Sequence, residues 1–209
     1  RGDYVFFARP EVRQNAPGLN CSGYVLAAAR FLFRRDISLV EAGRDRSGDS
    51  GPDSPHGQDW DLGRDLILNI SEGLPRALLL PGRRSLPVEQ ATAFCPRGFD
   101  LHASDTWPEL FSRLRPGHVY LLSFNKEVGR KKLLRHYHVA ILSLDAAGDV
   151  WLHQTTGAAG RSYGRNLSRP ENLALFLRAF ANTGTARKHI LVLEVRLPSS
   201  SDCAGAAGE

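Results

Sequence analysis

The 209-residue sequence predicts an α+β fold. Two observations lead there. Helical periodicity is concentrated early, in "CSGYVLAAARFLFR" at 21–34, whereas the second half carries four short runs of branched and aromatic residues: "HVYLLSF" (118–124), "HVAILSL" (138–144), "DVWLHQT" (149–155) and "HILVLEVRL" (189–197). The second and third runs are joined only by "DAAGD", too short for a parallel crossover, so they form an antiparallel hairpin.

Residues 1–19 read as an extended lead-in followed by a Pro-Gly loop. In the first helix, Val25, Ala28, Ala29 and Leu32 recur at three- and four-residue steps and form the core-facing stripe. Residues 43–59, rich in Gly, Ser, Asp and Pro, read as a loop. Amphipathic character returns in "LGRDLILNI" and "RALLL", in a region that Pro75, Pro81, Pro87 and Pro96 cut into short pieces. "DTWPELFSRLR" at 105–115 predicts a short helix starting near Asp105 or Thr106. "RPENLALFLRAF" at 169–180 predicts a late one, with Ser168 as cap and Pro170 in the first turn. The tail at 199–209 has no core-forming residues and is expected to be disordered. The expected organisation is one domain over 1–198 with an insertion at 44–113.

Hydrophobic residues make up 42% and charged residues 23%, an ordinary globular mixture, and no apolar run approaches the ~20 residues of a membrane span. The net charge of +5 is scattered, with its tightest cluster at 129–138, which argues for a solvated surface rather than nucleic-acid binding. The chain has no methionine, so its first residue reads as a processed start, and a periplasmic or secreted location is the expectation. Of the three cysteines no pair has metal-ligand spacing; Cys95 and Cys203 could pair in an oxidising compartment, and Cys21 is left over.

Cys21 stands where the first helix begins, after Asn20, a residue type that caps helices. The thiolate is the nucleophilic form of cysteine, and a helix N-terminus favours negative charge. A nearby imidazole takes the thiol proton and returns it to a leaving amine, and a third polar group fixes the imidazole's orientation. Cys21, His138 and His153 supply residues for these three roles. Strand alternation puts His138 with Ala140 and Leu142, and His153 with Trp151 and Thr155. The two histidines sit at similar distances from the turn, so they are expected to be cross-strand neighbours. Gln154 competes with His153 but faces the other way. His136 competes with His138, but it lies beside "KKLLR" and reads as solvent-facing.

The combination of "NCSGYV", "RPGHVYLLSF", "HVAILSL" and "WLHQ" resembles the NlpC/P60 family of papain-like cysteine peptidases, over roughly 18–34 and 114–156. The resemblance implies a nucleophile-bearing helix packed on an antiparallel sheet or half-barrel. It assigns Cys21 as nucleophile, His138 as base and His153 as orienting residue, with Tyr4, Asn20, Ser22 and Gly23 lining the substrate site. It implies hydrolysis of amide bonds in bacterial cell-wall (peptidoglycan) stem peptides with no metal or cofactor. Asn20 replaces the family's usual Asp, and His118 the Asp of its Pro-Gly-Asp turn. Other readings stay open: a different amide or an acyl transfer, a binding module in which Cys21 only packs, a basic scaffold for acidic polymers, or a zinc site of His118, His138 and His153.

Overall fold

The computed structural model describes residues 4–6, 9–14, 20–49, 60–82, 84–90, 96–156 and 161–198, with the backbone alone for the two N-terminal strands, Thr156 and Arg161. The tail, Cys95, Cys203 and most of the 43–59 loop lie outside the described residues, so the expectations about them do too.

The four predicted strands are present as β6 (His118–Val128), β7 (Leu133–Leu144), β8 (Val150–Thr156) and β10 (Lys188–Arg196). β3 (Arg76–Leu80), β4 (Arg84–Pro87), β5 (Phe99–Asp100) and β9 (Arg161–Asn166) complete an antiparallel sheet, ordered β4-β3-β10-β6-β7-β8-β9, with β5 also pairing β10. β1 (Tyr4–Phe6) and β2 (Arg9–Gln14) form a separate antiparallel pair within the extended lead-in. The "DAAGD" hairpin is as expected, since β7 and β8 pair from Leu144↔Val150 to Ile141↔His153.

The helices are α1 (Cys21–Phe33), α2 (Leu39–Ala42), α3 (Leu62–Ile70), α4 (Thr106–Phe111) and α5 (Pro170–Ala179). Alternation along the central strands gives two cores, one on each face of the sheet. On one, Val25, Leu26, Ala29 and Phe33 of α1 and Leu66, Ile67 and Ile70 of α3 pack on Val119, Leu121, Val139, Ile141 and Leu191. On the other, Trp107 of α4 and Phe176 of α5 pack on Tyr120, Leu122, Phe124, Ala140, Leu142 and Leu152. Phe180 stacks on Phe124 with ring centroids 5.1 Å apart. Both faces of β6, β7 and β10 are covered, which is why these runs are nearly continuous in apolar residues.

Two local details differ from expectation. The buried stripe of α1 is rotated toward Leu26 and Phe33, with Ala28 and Leu32 only partly buried. The N-cap of α5 is Arg169, without a side-chain cap bond; Ser168 instead accepts from the Val150 amide at 2.8 Å and so pins the strand after the hairpin.

Candidate functional site

Cys21 is the first residue of α1 and a free, partly exposed cysteine packed at the edge of the α1-side core. Asn20 takes the cap position, its side chain accepting from the Gly23 amide at 2.7 Å. Ser22 is buried and Gly23 partly buried. Tyr4 lies in β1, and its side chain is outside the described residues. Replacing Asn20 by Ala leaves an orphan N–H in the first turn and should cost about 1 kcal/mol of stability in urea unfolding.

The predicted assembly of Cys21, His138 and His153 is not what the sheet builds. His153 pairs with Ile141, so it shares the α1 face with Cys21. His138 pairs with Phe124, so its imidazole lies on the α5 face, 5.3 Å from the rings of both Phe124 and Phe180. There its Nε2 donates to Gln154 Oε1 at 2.7 Å, and Gln154 Nε2 donates to Tyr163 at 2.8 Å. Gln154, not His153, is therefore the partner of His138. His153 Nε2 shares a 3.0 Å hydrogen bond with Ser143 Oγ, nearer the hairpin turn. His153 opposes Ile141, three residues along β7 from the expected partner His138, and an odd shift of register exchanges faces. The zinc reading fails on the same geometry. His118 is bonded to the Pro116 carbonyl at the start of β6, and no group of three His, Cys, Asp or Glu among the described residues is placed to hold a metal.

The histidine on the α1 face that sequence reasoning set aside is His136. Strict alternation gives it the same face as His138. The pairing shifts at Phe124/Asn125, however: Phe124 opposes His138 and Asn125 opposes His136, leaving Tyr137 as an extra residue. This bulge turns His136 onto the α1 face. Its Nδ1 lies 3.5 Å from Ser123 Oγ, and Asn125 faces it directly across the strand pair. The His136 amide donates to the Trp60 carbonyl at 2.7 Å, and Gly63 at the start of α3 rests against the ring; a Cβ there would lie 2.5 Å from Ser123 Oγ and closer still to Nδ1. Nothing in "RHYHVAIL" marks a bulge, so the sequence offered no signal for this change of face.

Arg35 donates to the Glu72 carbonyl, which ties the C-terminal ends of α1 and α3. Gly63 sets the N-terminal end of α3 on His136. α1 touches α3 and lies over β7 and β8. β7 pairs β8 only as far as Ile141↔His153, while β8 continues along β9 to Thr156. Among the described residues Cys21 forms no side-chain hydrogen bond.

Burial lowers the His136 pKa to about 3, with a smaller effect from His138, and lowers that of His138 to about 4 against the opposing effect of the Gln154 bond. Both imidazoles are neutral at pH 7. Asp65 in α3 is shifted the other way, to about 6, chiefly by burial and despite the Arg46 amide bonded to its carboxylate at 2.7 Å. The two histidines, depressed in the folded state, contribute stability present above pH 6.5 and lost as the pH falls. Asp65, raised, contributes stability present below its unfolded pKa of 3.8 and lost as the pH rises through about 6. Near pH 5 the unfolded chain binds two protons on these histidines against one on native Asp65. These groups should therefore make stability rise with pH by about 1.4 kcal/mol per unit there. Denaturant titrations across that range check this: Asp65→Asn should roughly double the slope and His138→Gln should flatten it.

No protein-family model, no curated protein and no solved structure matches this chain.

Proposed function

We propose that this protein is a cysteine hydrolase acting on amide bonds, with Cys21 as nucleophile and His136 as general base, and with bacterial cell-wall peptides as its substrate class. The observation that carries the reading is the placement of Cys21 at the capped start of α1, packed against the core on the sheet face that also holds His136. The substrate class rests on the motif resemblance alone.

Ser123 and Gly63 occupy the Nδ1 side of His136, which leaves Nε2 as the nitrogen for the thiol. A neutral imidazole accepts the Cys21 proton as Sγ attacks the amide carbon. The carbonyl π pair moves onto oxygen. His136 then protonates the amine nitrogen as the C–N bond breaks, leaving a thioester on Cys21. Water attacks the thioester as His136 takes its proton, and the C–S bond then breaks with His136 returning that proton to Sγ, which gives the acid, the free thiol and the neutral imidazole. Asn125, directly across from His136, is placed to limit rotation of the ring.

A second reading, a binding module in which Cys21 only packs, draws on the lack of a hydrogen bond between Cys21 and any described histidine. Incubation with purified peptidoglycan separates the two. The hydrolase releases new amino termini, loses this activity on treatment with iodoacetamide, and loses it in Cys21→Ala. Undiminished release by Cys21→Ala, or binding without release by the wild-type protein, would sink the hydrolase reading.

A further inference from the structure

The end of the sheet where β6 turns into β7 gathers positive charge. Lys126 of β6 pairs directly with Lys188 of β10 on one side and with Arg135 of β7 on the other. Directly opposed residues share a face, so three cations stand in a row on neighbouring strands about 4.8 Å apart. Arg135 is exposed and the two lysines are partly so. The Lys188 Nζ donates to the Ala181 carbonyl at 2.5 Å and lies 5.3 Å from the centre of the Tyr137 ring, which places the row on the α5 face, just past the end of α5. The turn that follows β6 adds exposed Arg130, Lys131 and Lys132. Lys132 has φ 52°, a left-handed conformation that glycine adopts without strain, so the turn keeps a lysine there at a conformational cost.

Among the described residues none of these six cations forms an ion pair, and the acids nearby are engaged elsewhere. Glu127 is held by Arg97 at 2.8 Å and lies 3.3 Å from His189, and Asp100 lies 3.8 Å from Arg187. Like charges directly opposite one another on a sheet are destabilising, and an acidic residue at the middle position would remove the conflict. Burial, with repulsion from Lys126, holds the Lys188 ammonium below the usual lysine range. An anion laid along the row would relieve that repulsion.

We propose that this end of the sheet binds a linear polyanion without aromatic bases. Three charges in line, with three more in the adjoining turn, match a chain of repeated anionic groups better than a single small anion. The exposed large apolar side chains among the described residues are Phe31, Leu39, Val40 and Leu175, none of them on these strands or their turn. The patch therefore has neither a platform for stacking nucleobases nor a wedge for lipid. Polyphosphate and polycarboxylate chains present the same repeated charge. Nothing in this inference depends on Cys21.

Fluorescence anisotropy with a labelled polyphosphate chain tests it. Wild type should bind, with affinity falling about 100-fold between about 50 and 200 mM NaCl as counterions are released. Lys126→Glu should weaken binding about 20-fold at about 100 mM NaCl. Its melting temperature should rise by about 2 °C, because the new carboxylate pairs with Lys188 and Arg135. Arg169→Glu makes the same change of charge at the start of α5 and should bind within about threefold of wild type. Displacement by unlabelled poly-L-glutamate extends the source to carboxylate polymers and its failure restricts it to phosphate; either upholds the proposal. Absence of polyphosphate binding overturns it, as does an equal loss of affinity in Arg169→Glu and Lys126→Glu, or a lower melting temperature in Lys126→Glu. Single-stranded DNA bound at least about tenfold more tightly than polyphosphate, or retention by phosphatidylglycerol vesicles alone, overturns the choice of partner and with it the proposal.

Discussion

His136→Gln should lower kcat/KM on stem peptides by about 1,000-fold, within the range that a general base contributes, while His138→Gln should stay within tenfold of wild type. The contrast follows from the bulge at Tyr137. Without it, His136 and His138 would share a face and could exchange roles. With it, His136 looks toward α1 and α3, and His138 is enclosed by Phe124, Phe180 and Gln154. Cys21→Ala should abolish turnover. His138→Gln should instead be read in stability, since it disturbs a buried chain of hydrogen bonds running to Tyr163. Circular dichroism and urea midpoints on each variant separate lost chemistry from lost folding. An inactive but stable His138→Gln beside an active His136→Gln would return the base to His138 and would mean that β7 runs without its bulge.

The outline of the fold was legible because it depends on local signals. Apolar runs bounded by turn residues marked β6, β7, β8 and β10, the five-residue link fixed one hairpin, and Asn20 marked the start of α1. β4, whose residues are largely exposed, and the two-residue β5 carry no such run. They exist because β3 and β10 present open edges to pair with. The candidate nucleophile was legible for the same reason as the helix, since a cap and a first turn are read within four residues. Its partner was not. Choosing among His136, His138 and His153 requires knowing which face each takes, and faces depend on register and bulges set by tertiary packing. The register expected from the turn paired His153 with His138, whereas the sheet pairs it with Ile141, an odd shift by which His153 and Gln154 exchanged roles. The parity argument was sound for His138–Leu144 and failed one residue before them, at Tyr137. Ser123 and Asn125 were visible only as polar residues in or next to an apolar strand, and their meaning came from what β7 placed opposite them.

Gly63→Ala tests that placement with a single methyl group. In an isolated helix the change would be favourable by about 1 kcal/mol, because glycine costs more backbone entropy than alanine. Here the added Cβ would fall 2.5 Å from Ser123 Oγ and nearer still to His136 Nδ1. Ser123 lies on β6, the central strand of the sheet, and His136 on β7 beside it, so the backbone has little freedom to retreat. The His136 ring has to move, and overpacking of this kind costs about 1–3 kcal/mol. A displacement of about 1 Å at a catalytic group can cost 100-fold in rate, so activity should fall by about that factor even though the nucleophile and base are both still present. Adding Ser123→Ala removes one of the three clashing atoms. The double variant should then recover part of the stability but little of the rate, a non-additivity expected only for groups in contact. If Gly63→Ala is more stable than wild type and fully active, α3 does not rest on His136, and the base must be sought elsewhere on the α1 face, with His153 next in line.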